Sequence, residues 1–371
     1  MLRSNCVICG NNNLMDNFKL KSCLKMTSSE PYNPNETFEL NFVGCLDCGC
    51  VQLQNLFDPK KIYEEPLQCF HGNALSRHHE LFAEFIYKNI NNDYDLFEIG
   101  GAYGILAKLI INKYIESGRT VNYKIMEFDI DHYPSIENIE YISGNCETYD
   151  FGNIKTIIMS HVFEHLYEPK KFIKNIKEAG VENIFISIPD MENLMKNGDI
   201  NNLNILHTFY IDTRFIVYLF NLYGYKLKTS YNYDNNSEFY YFTNTEHKTI
   251  DNCEYKNVKL LTILDEFYKK SMKNIENITI NEKFYICPSG FYGRYIYYYL
   301  NSETKNNVIG FLDGDKFKIN KRLYGTPVNI FEKQHIKHRD DVSILICSKK
   351  HENELKSELE IYNKNIKFSY L

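Results

Sequence analysis

From residue 66 to about residue 245, short apolar runs alternate with amphipathic stretches, and this alternation limits the fold more than any other feature of the sequence. ELFAEFIYKNI has helical spacing, and YDLFEIG is a short apolar run that ends in glycine. ILAKLIINKYI reads as a helix, YKIMEFD as a strand and IKTIIMSHVF as a buried strand. EPKKFIKNIKEAG reads as a helix ending at Gly180, and NIFISIPD as a strand. FIVYLFNLYGYKL and EFYYFTN then add a helix and a late strand. Strands interleaved with helices of about 10–15 residues predict an α/β fold with a parallel sheet and crossover helices.

The chain is 371 residues long, too much for one ordinary domain at roughly 150 residues each. Residues 1–65 are cysteine-rich and turn-rich, and SSEPYNPNE around Pro31 and Pro34 reads as a loop. Residues 246–280 read as a polar helical connector containing VKLLTILDEFYKKSMKNI. Residues 281–371 form a second, smaller α/β unit, with strands at KFYICPSG, NNVIGFLDGD, VSILICSKK and NIKFSYL. A net charge of -6 argues against nucleic acid as the main partner, since phosphate binding needs concentrated positive charge. MLRSNCVICG lacks an apolar signal region, and no run approaches the eighteen or so apolar residues of a membrane span. A cytoplasmic protein with no membrane partner is the expectation, and cysteine clusters in that compartment point to metal or catalysis.

Two such clusters exist. Cys6 and Cys9 are followed by Gly10, and Cys45 and Cys48 by Gly49, giving C-x2-C-G twice with 35 residues between the pairs. Two-residue spacing lets both thiolates of a tight turn face one cation, and the glycine frees amides to face sulfur. Together the four cysteines predict a closed structural zinc site. Cys50 is off the spacing and reads as a non-ligand. Cys23, Cys69, Cys146, Cys253, Cys287 and Cys347 read as buried thiols.

The turn after YDLFEIG carries Gly100, Gly101 and Gly104 and opens a helix, so a ligand could approach the backbone at a helix N-terminus. The spacing is not G-x-G-x-x-G, and Glu98 stands two residues before the first glycine. A carboxylate there would repel a pyrophosphate but suits a cationic amino or sulfonium group, as in S-adenosylmethionine (SAM). The next strand ends in Glu127, where an acidic side chain could accept from both ribose hydroxyls; Asp129 competes for that role. Ser160, His161, Glu164 and His165 follow the buried strand, at the edge where open parallel sheets bind ligands. His161, Glu164 and His165 could line a pocket. Alternatively, Glu164 and His165 only start the next turn, and structure is the favoured reading for His161.

The cysteine knuckles, the E-I-G-G-x-x-G loop and the S-H-V-F-E-H element, in this order, resemble the zinc-containing sugar C-methyltransferases of deoxysugar pathways. That resemblance spans essentially the whole chain. It implies a small zinc domain, a class I SAM-dependent methyltransferase core, a C-terminal Rossmann-like domain, and a nucleotide-linked sugar as substrate. The family carries a Y-x-E-H box whose histidine is proposed as base. Here His207 falls on that histidine, while the glutamate and tyrosine positions hold Leu206 and Asn204. The departure makes O-methylation of a sugar hydroxyl the natural substitute for C-methylation.

Either acceptor needs a base, and a histidine titrates near working pH. His207 is therefore the first candidate for general base, with Tyr210 and Tyr63 as second candidates for substrate contact. One of His71, His78 and His79 could face the cofactor, although the His78–His79 pair on a polar helix face is usually solvated. YIYYY at 295–299 reads as core, and the glycine turn at 290–293 is a weak candidate for phosphate. Two other classes compete: a catalytically silent binding scaffold, and an NAD-dependent oxidoreductase, against which Glu98 and the glycine spacing speak.

Overall fold

The computed structural model describes all residues except 24–26, 30–36, 64–72, 91–94, 132, 197–202, 235, 246–257, 317, 324–325, 349–351 and 371. The loop around Pro31 and Pro34, together with Cys69, His71 and Cys253, lies outside the described residues. The chain divides into two compact units. The first comprises Met1–Asp16, Val43–Asn193 and Leu206–Leu261; the second comprises Asn17–Phe42, Leu194–Ile205 and Thr262–Leu371.

The first unit is built on a seven-stranded sheet: β1 (Asp95–Ile99), β2 (Asn122–Glu127), β3 (Ile139–Ser143), β4 (Thr156–Ser160), β5 (Asn183–Pro189), β6 (Tyr225–Tyr233) and β7 (Ser237–Asn244). Their spatial order is β3-β2-β1-β4-β5-β7-β6. The first five are parallel, while β7 runs antiparallel to both β5 and β6. This is a doubly wound α/β sheet closed at one edge by a hairpin. Its central strands are predominantly apolar and buried because both faces are covered. Leu96 of β1 packs with Phe82, Ile86, Ile110 and Tyr114 on one face. Phe97 and Ile99 pack with Phe172, Ile176, Phe215 and Leu219 on the other.

The covering helices are α1 (Asn73–Asn89), α2 (Ile105–Glu116), α3 (Pro169–Glu178) and α4 (Thr213–Leu222). Helix α2 buries Leu106, Ala107, Ile110, Ile111 and Tyr114, a stripe at helical spacing. Helix α3 starts on Pro169, which pre-sets the first turn. Asp212 caps α4 by accepting from the Arg214 and Phe215 N–H groups. No helix among the described residues is long and apolar enough to cross a membrane.

Three local expectations change. FIVYLFNLYGYKL is not one helix: α4 stops at Leu222, Gly224 turns the chain at φ 77°, and β6 begins at Tyr225. IKTIIMSHVF is strand only to Ser160, because His161 takes φ 54° and the chain enters a short 3-10 helix at Phe163–His165. Strand β3 was invisible as a periodic run, since its IEYIS sequence is only partly buried at the sheet edge.

The N-terminal segment is also more regular than its turn-rich composition suggests. Leu14–Cys23 and Thr37–Cys45 are strands that carry the chain from the first unit into the second and back. Cys6, Cys45, Cys48 and Cys50 belong to the same buried cluster as Phe97, Phe209 and Phe215, so the cysteine turns share the core of the first unit.

In the second unit, β8 (Phe284–Cys287), β9 (Val308–Asp313), β10 (Ile330–Glu332), β11 (Val342–Ile346) and β12 (Ile366–Tyr370) form an all-parallel sheet. Their order is β10-β9-β8-β11-β12, a second Rossmann-like arrangement. Of the longest connecting helix, α5 (Val258–Glu276), residues 262–276 fall in this unit.

Candidate functional site

In the first unit the strand order reverses between β1 and β4, and a doubly wound sheet opens a crevice at such a switch point. Two loops flank it: residues 100–104 after β1, and residues 161–165 after β4.

Gly100 has φ 74° and Gly104 φ 66°, in the left-handed region that glycine adopts without penalty. A Cβ on Gly100 would lie 2.5 Å from Val162 Cγ2, so the two loops are in contact only because that side chain is absent. Gly104 is the N-cap of α2, leaving the helix N-terminus directed toward the loop. The loop is held by its flanks. Gly100 N–H donates to Met126 O at 2.9 Å, Tyr141 Oη–H to Ala102 O at 2.7 Å, and Ala102 N–H to Glu127 Oε1 at 2.5 Å.

Glu127 thus ends β2 with its carboxylate beside the glycine loop. Burial pushes its pKa up to about 7, with the Ala102 N–H pulling the other way. Asp129, the competing residue, is turned to local work and accepts from Asp131 N–H at 3.0 Å. Glu98 is 1% exposed and lies beneath the loop, accepting from Tyr123 Oη–H at 2.9 Å. Burial raises its pKa to about 8, and Tyr123 offsets part of that rise. A Cβ on Gly101 would sit 2.8 Å from Glu98 Cδ, so the second glycine is required by the buried carboxyl below it.

On the other flank, the Ser160 hydroxyl oxygen is buried and has no hydrogen-bond partner among the described residues. His161 N–H donates to Ser187 O at 2.9 Å, and its Nε2 lies 3.1 Å from Ser237 Oγ. Its Nδ1 is 3.5 Å from Glu164 Oε1. His78 stands near it, with ring centroids 4.8 Å apart, and is bonded through Nε2 to Ser187 Oγ at 2.8 Å. Burial brings the pKa of His78 down to about 2 and that of His79 to about 4, so the pair is neutral and enclosed rather than solvated.

Glu164, His165 and His207 converge although His207 is remote in sequence. His207 Nε2 is 4.0 Å from Glu164 Oε1, and the His165 and His207 rings stack at 5.3 Å and 29°. The backbone ties the two segments together through Thr208 N–H to Glu164 O at 2.9 Å. Arg3 adds a second clamp, donating to Thr208 O at 2.5 Å and to Tyr167 O at 2.7 Å. Burial works against the Glu164 carboxylate, yet His161, His165 and His207 together hold its pKa below the usual range. Where the family box has a glutamate, this chain has Leu206, but Glu164 brings a carboxylate to His207 from another segment. Tyr210 is fully buried in the short strand Phe209–Tyr210, its ring 6.1 Å from that of His207.

Tyr63 stacks on Phe128 at 4.9 Å and 11°, and its hydroxyl is 3.3 Å from His165 Nδ1. Phe128, which immediately follows Glu127, was not singled out in the sequence. Its position just beyond an acidic strand end was the available signal.

The four knuckle cysteines place their sulfurs within 4.8 Å of one another. Gly10 and Gly49 have φ 84° and 85°, and their N–H groups donate to Cys6 O and Cys45 O at 2.9 and 2.8 Å. Ile8 N–H points at Cys6 Sγ at 3.4 Å. Such a set of thiols with amides facing sulfur fits a tetrahedral zinc ion. Cys50 is buried beside the set, bonds Val51 O and also contacts Cys6, but it is not one of the four whose sulfurs cluster.

In the second unit, the 290–293 turn offers less to a phosphate than its glycines suggest. Asp313 accepts from Ser289 N–H at 3.0 Å and Ser289 Oγ–H at 2.5 Å, and pairs with Lys318 at 3.3 Å. The turn therefore already holds a carboxylate.

No protein-family model matches this chain, and no curated protein matches it. Among solved structures, it is similar to magnesium protoporphyrin IX methyltransferase from Synechocystis PCC 6803 with bound SAH. The identity is 10%, covering 46% of this chain and 84% of that one, with a TM-score of 0.36. It is also similar to human N-acetylserotonin methyltransferase in complex with SAM. There the identity is 13%, covering 46% of this chain and 53% of that one, with a TM-score of 0.38.

Proposed function

We propose that the protein is a SAM-dependent methyltransferase acting on a nucleotide-linked sugar, with methyl transfer to oxygen favoured over carbon. The observation that carries the reading is the pairing of Glu127 with the Ala102 N–H at the switch point between β1 and β4. That pairing sets an acidic ribose acceptor beside a glycine loop and a helix N-terminus. The buried Glu98 carboxyl favours a ligand with a cationic centre over a dinucleotide, since nearby positive charge stabilises the ionised form and a pyrophosphate does not. Ser160 and His161 complete the cofactor wall.

The donor supplies an electrophilic methyl group, and much of the rate comes from holding donor and acceptor in line. On the acceptor side, His207 with Glu164 behind it is placed to activate a hydroxyl, and Tyr210 positions the imidazole from within the core. The four cysteines would hold a structural zinc, with no step of the reaction routed through it. No nucleic acid or membrane is required as partner, and the cytoplasm is the fitting compartment.

The test is methyl transfer from labelled SAM into a panel of sugar nucleotides, with SAM affinity measured alongside. His207→Ala is expected to abolish transfer and leave SAM affinity nearly unchanged. Loss of both would make His207 structural, and SAM binding by the wild type without transfer to any sugar would overturn the substrate assignment.

A further inference from the structure

The acceptor half of the site contains a feature that a lone histidine base does not explain. Glu164 is 3% exposed, and among the described residues its carboxylate oxygens make no short hydrogen bond, only long contacts to imidazoles. Its nearest imidazole nitrogens are His161 Nδ1 at 3.5 Å and His207 Nε2 at 4.0 Å. A buried carboxylate held only at long range by imidazoles is costly, and such groups are normally closely paired or bound to a metal. Glu164, His165 and His207 each offer one ligand atom, and those atoms lie within 4.8 Å of one another.

We propose that Glu164, His165 and His207 bind a divalent transition-metal ion that offers open coordination positions to the acceptor hydroxyl. The role given to the hydroxyl rests on the methyltransferase reading of the same site. Two imidazoles and one carboxylate select zinc, iron, cobalt or nickel over magnesium and calcium, which prefer all-oxygen shells. Three protein ligands leave room for water or substrate, unlike the closed shell of four cysteines.

The surroundings suit ligation. Tyr63 Oη lies 3.3 Å from His165 Nδ1, a contact from outside the cluster that restrains the ring. A cation and a proton compete for the same lone pair on His207. In the metal-bound protein His207 is therefore a ligand in place of a base, and the cation acidifies the bound hydroxyl, whose proton passes to solvent water.

The experiment titrates cobalt(II) into the full-length protein and counts bound metal by mass spectrometry after desalting. Two equivalents are expected, one with thiolate-to-cobalt charge-transfer absorption and one without it. Glu164→Gln and His207→Ala should each reduce the count to one and keep the thiolate absorption, which also reports a folded first unit. Cys45→Ser should lose that absorption and keep the other ion. A wild-type protein holding only the thiolate-bound ion, or variants still holding two, would overturn the proposal. SAM affinity, measured separately by calorimetry, tests the other reading. One equivalent with SAM bound removes the metal and leaves methyl transfer standing, whereas two equivalents without SAM binding do the reverse.

Discussion

The Ala102 N–H donates to Glu127 Oε1 at 2.5 Å, so the carboxylate that ends one strand also closes the glycine loop that follows its neighbour. Loop geometry therefore depends on one side chain and on its protonation, and so does ribose recognition in the proposed SAM site.

Burial raises the Glu127 pKa to about 7. An ionised carboxylate accepts more strongly from hydroxyls than a protonated one. SAM affinity should therefore climb as pH rises from about 6 to about 8, at most tenfold per unit below the pKa. Glu127→Gln should weaken binding by about tenfold, the loss of one charged hydrogen bond, and flatten the profile. The stability effect has the opposite sign. Because the folded state holds the proton more tightly than the unfolded state, this group's contribution declines as pH rises from about 4.5 to about 7. Calorimetric titration at several pH values checks the affinity, and a flat wild-type profile would mean that the ligand does not touch Glu127.

Gly100 and Val162 make a second, steric link across the switch point. Alanine at Gly100 would adopt φ 74° and place its Cβ 2.5 Å from Val162 Cγ2. The left-handed backbone costs roughly 1–2 kcal/mol and the overlap roughly 1–3 kcal/mol. Gly100→Ala should therefore destabilise the first unit by about 3 kcal/mol. Adding Val162→Ala removes Cγ2 and leaves a Cβ at an ordinary 3.7 Å, so about half of that loss should return. Urea unfolding of the single and double variants measures the coupling. Strict additivity would show that the loops do not press on each other in solution.

Why some of this was legible in the sequence and some was not follows from the range of the interactions. The β1 and β4 strands, the glycine loop and the cysteine knuckles are local patterns, and local spacing is enough to specify them. Strand β3 escaped because an edge strand that is half exposed loses the apolar run that marks β1. Strand β6 was absorbed into α4 because Phe220, Tyr225 and their neighbours are apolar across a turn that only Gly224 marks. The Glu164–His207 contact was beyond reach because it joins a turn after β4 to a segment more than forty residues later, through Thr208 N–H and Arg3. Sequence comparison with the family box pointed to a missing carboxylate at Leu206, whereas packing supplies one from elsewhere.

The cysteine turns give the last prediction. Cys6, Cys45 and Cys48 are at most 4% exposed and lie in the same cluster as Phe97, Phe209 and Phe215. Without a cation, burial pushes the Cys9 thiol up to about 12, and the neighbouring Cys6 and burial push Cys48 up as well. Metal must displace those protons, so retention should weaken as pH falls. Because the turns share the core of the sheet, Cys45→Ser should lower the melting temperature of the whole first unit in a single transition. An independent zinc module would instead give a small early transition and leave the main one in place, which scanning calorimetry separates. Glu164→Gln supplies the contrast: it removes the proposed second ion while the four cysteines stay intact, so its main transition should move far less than that of Cys45→Ser.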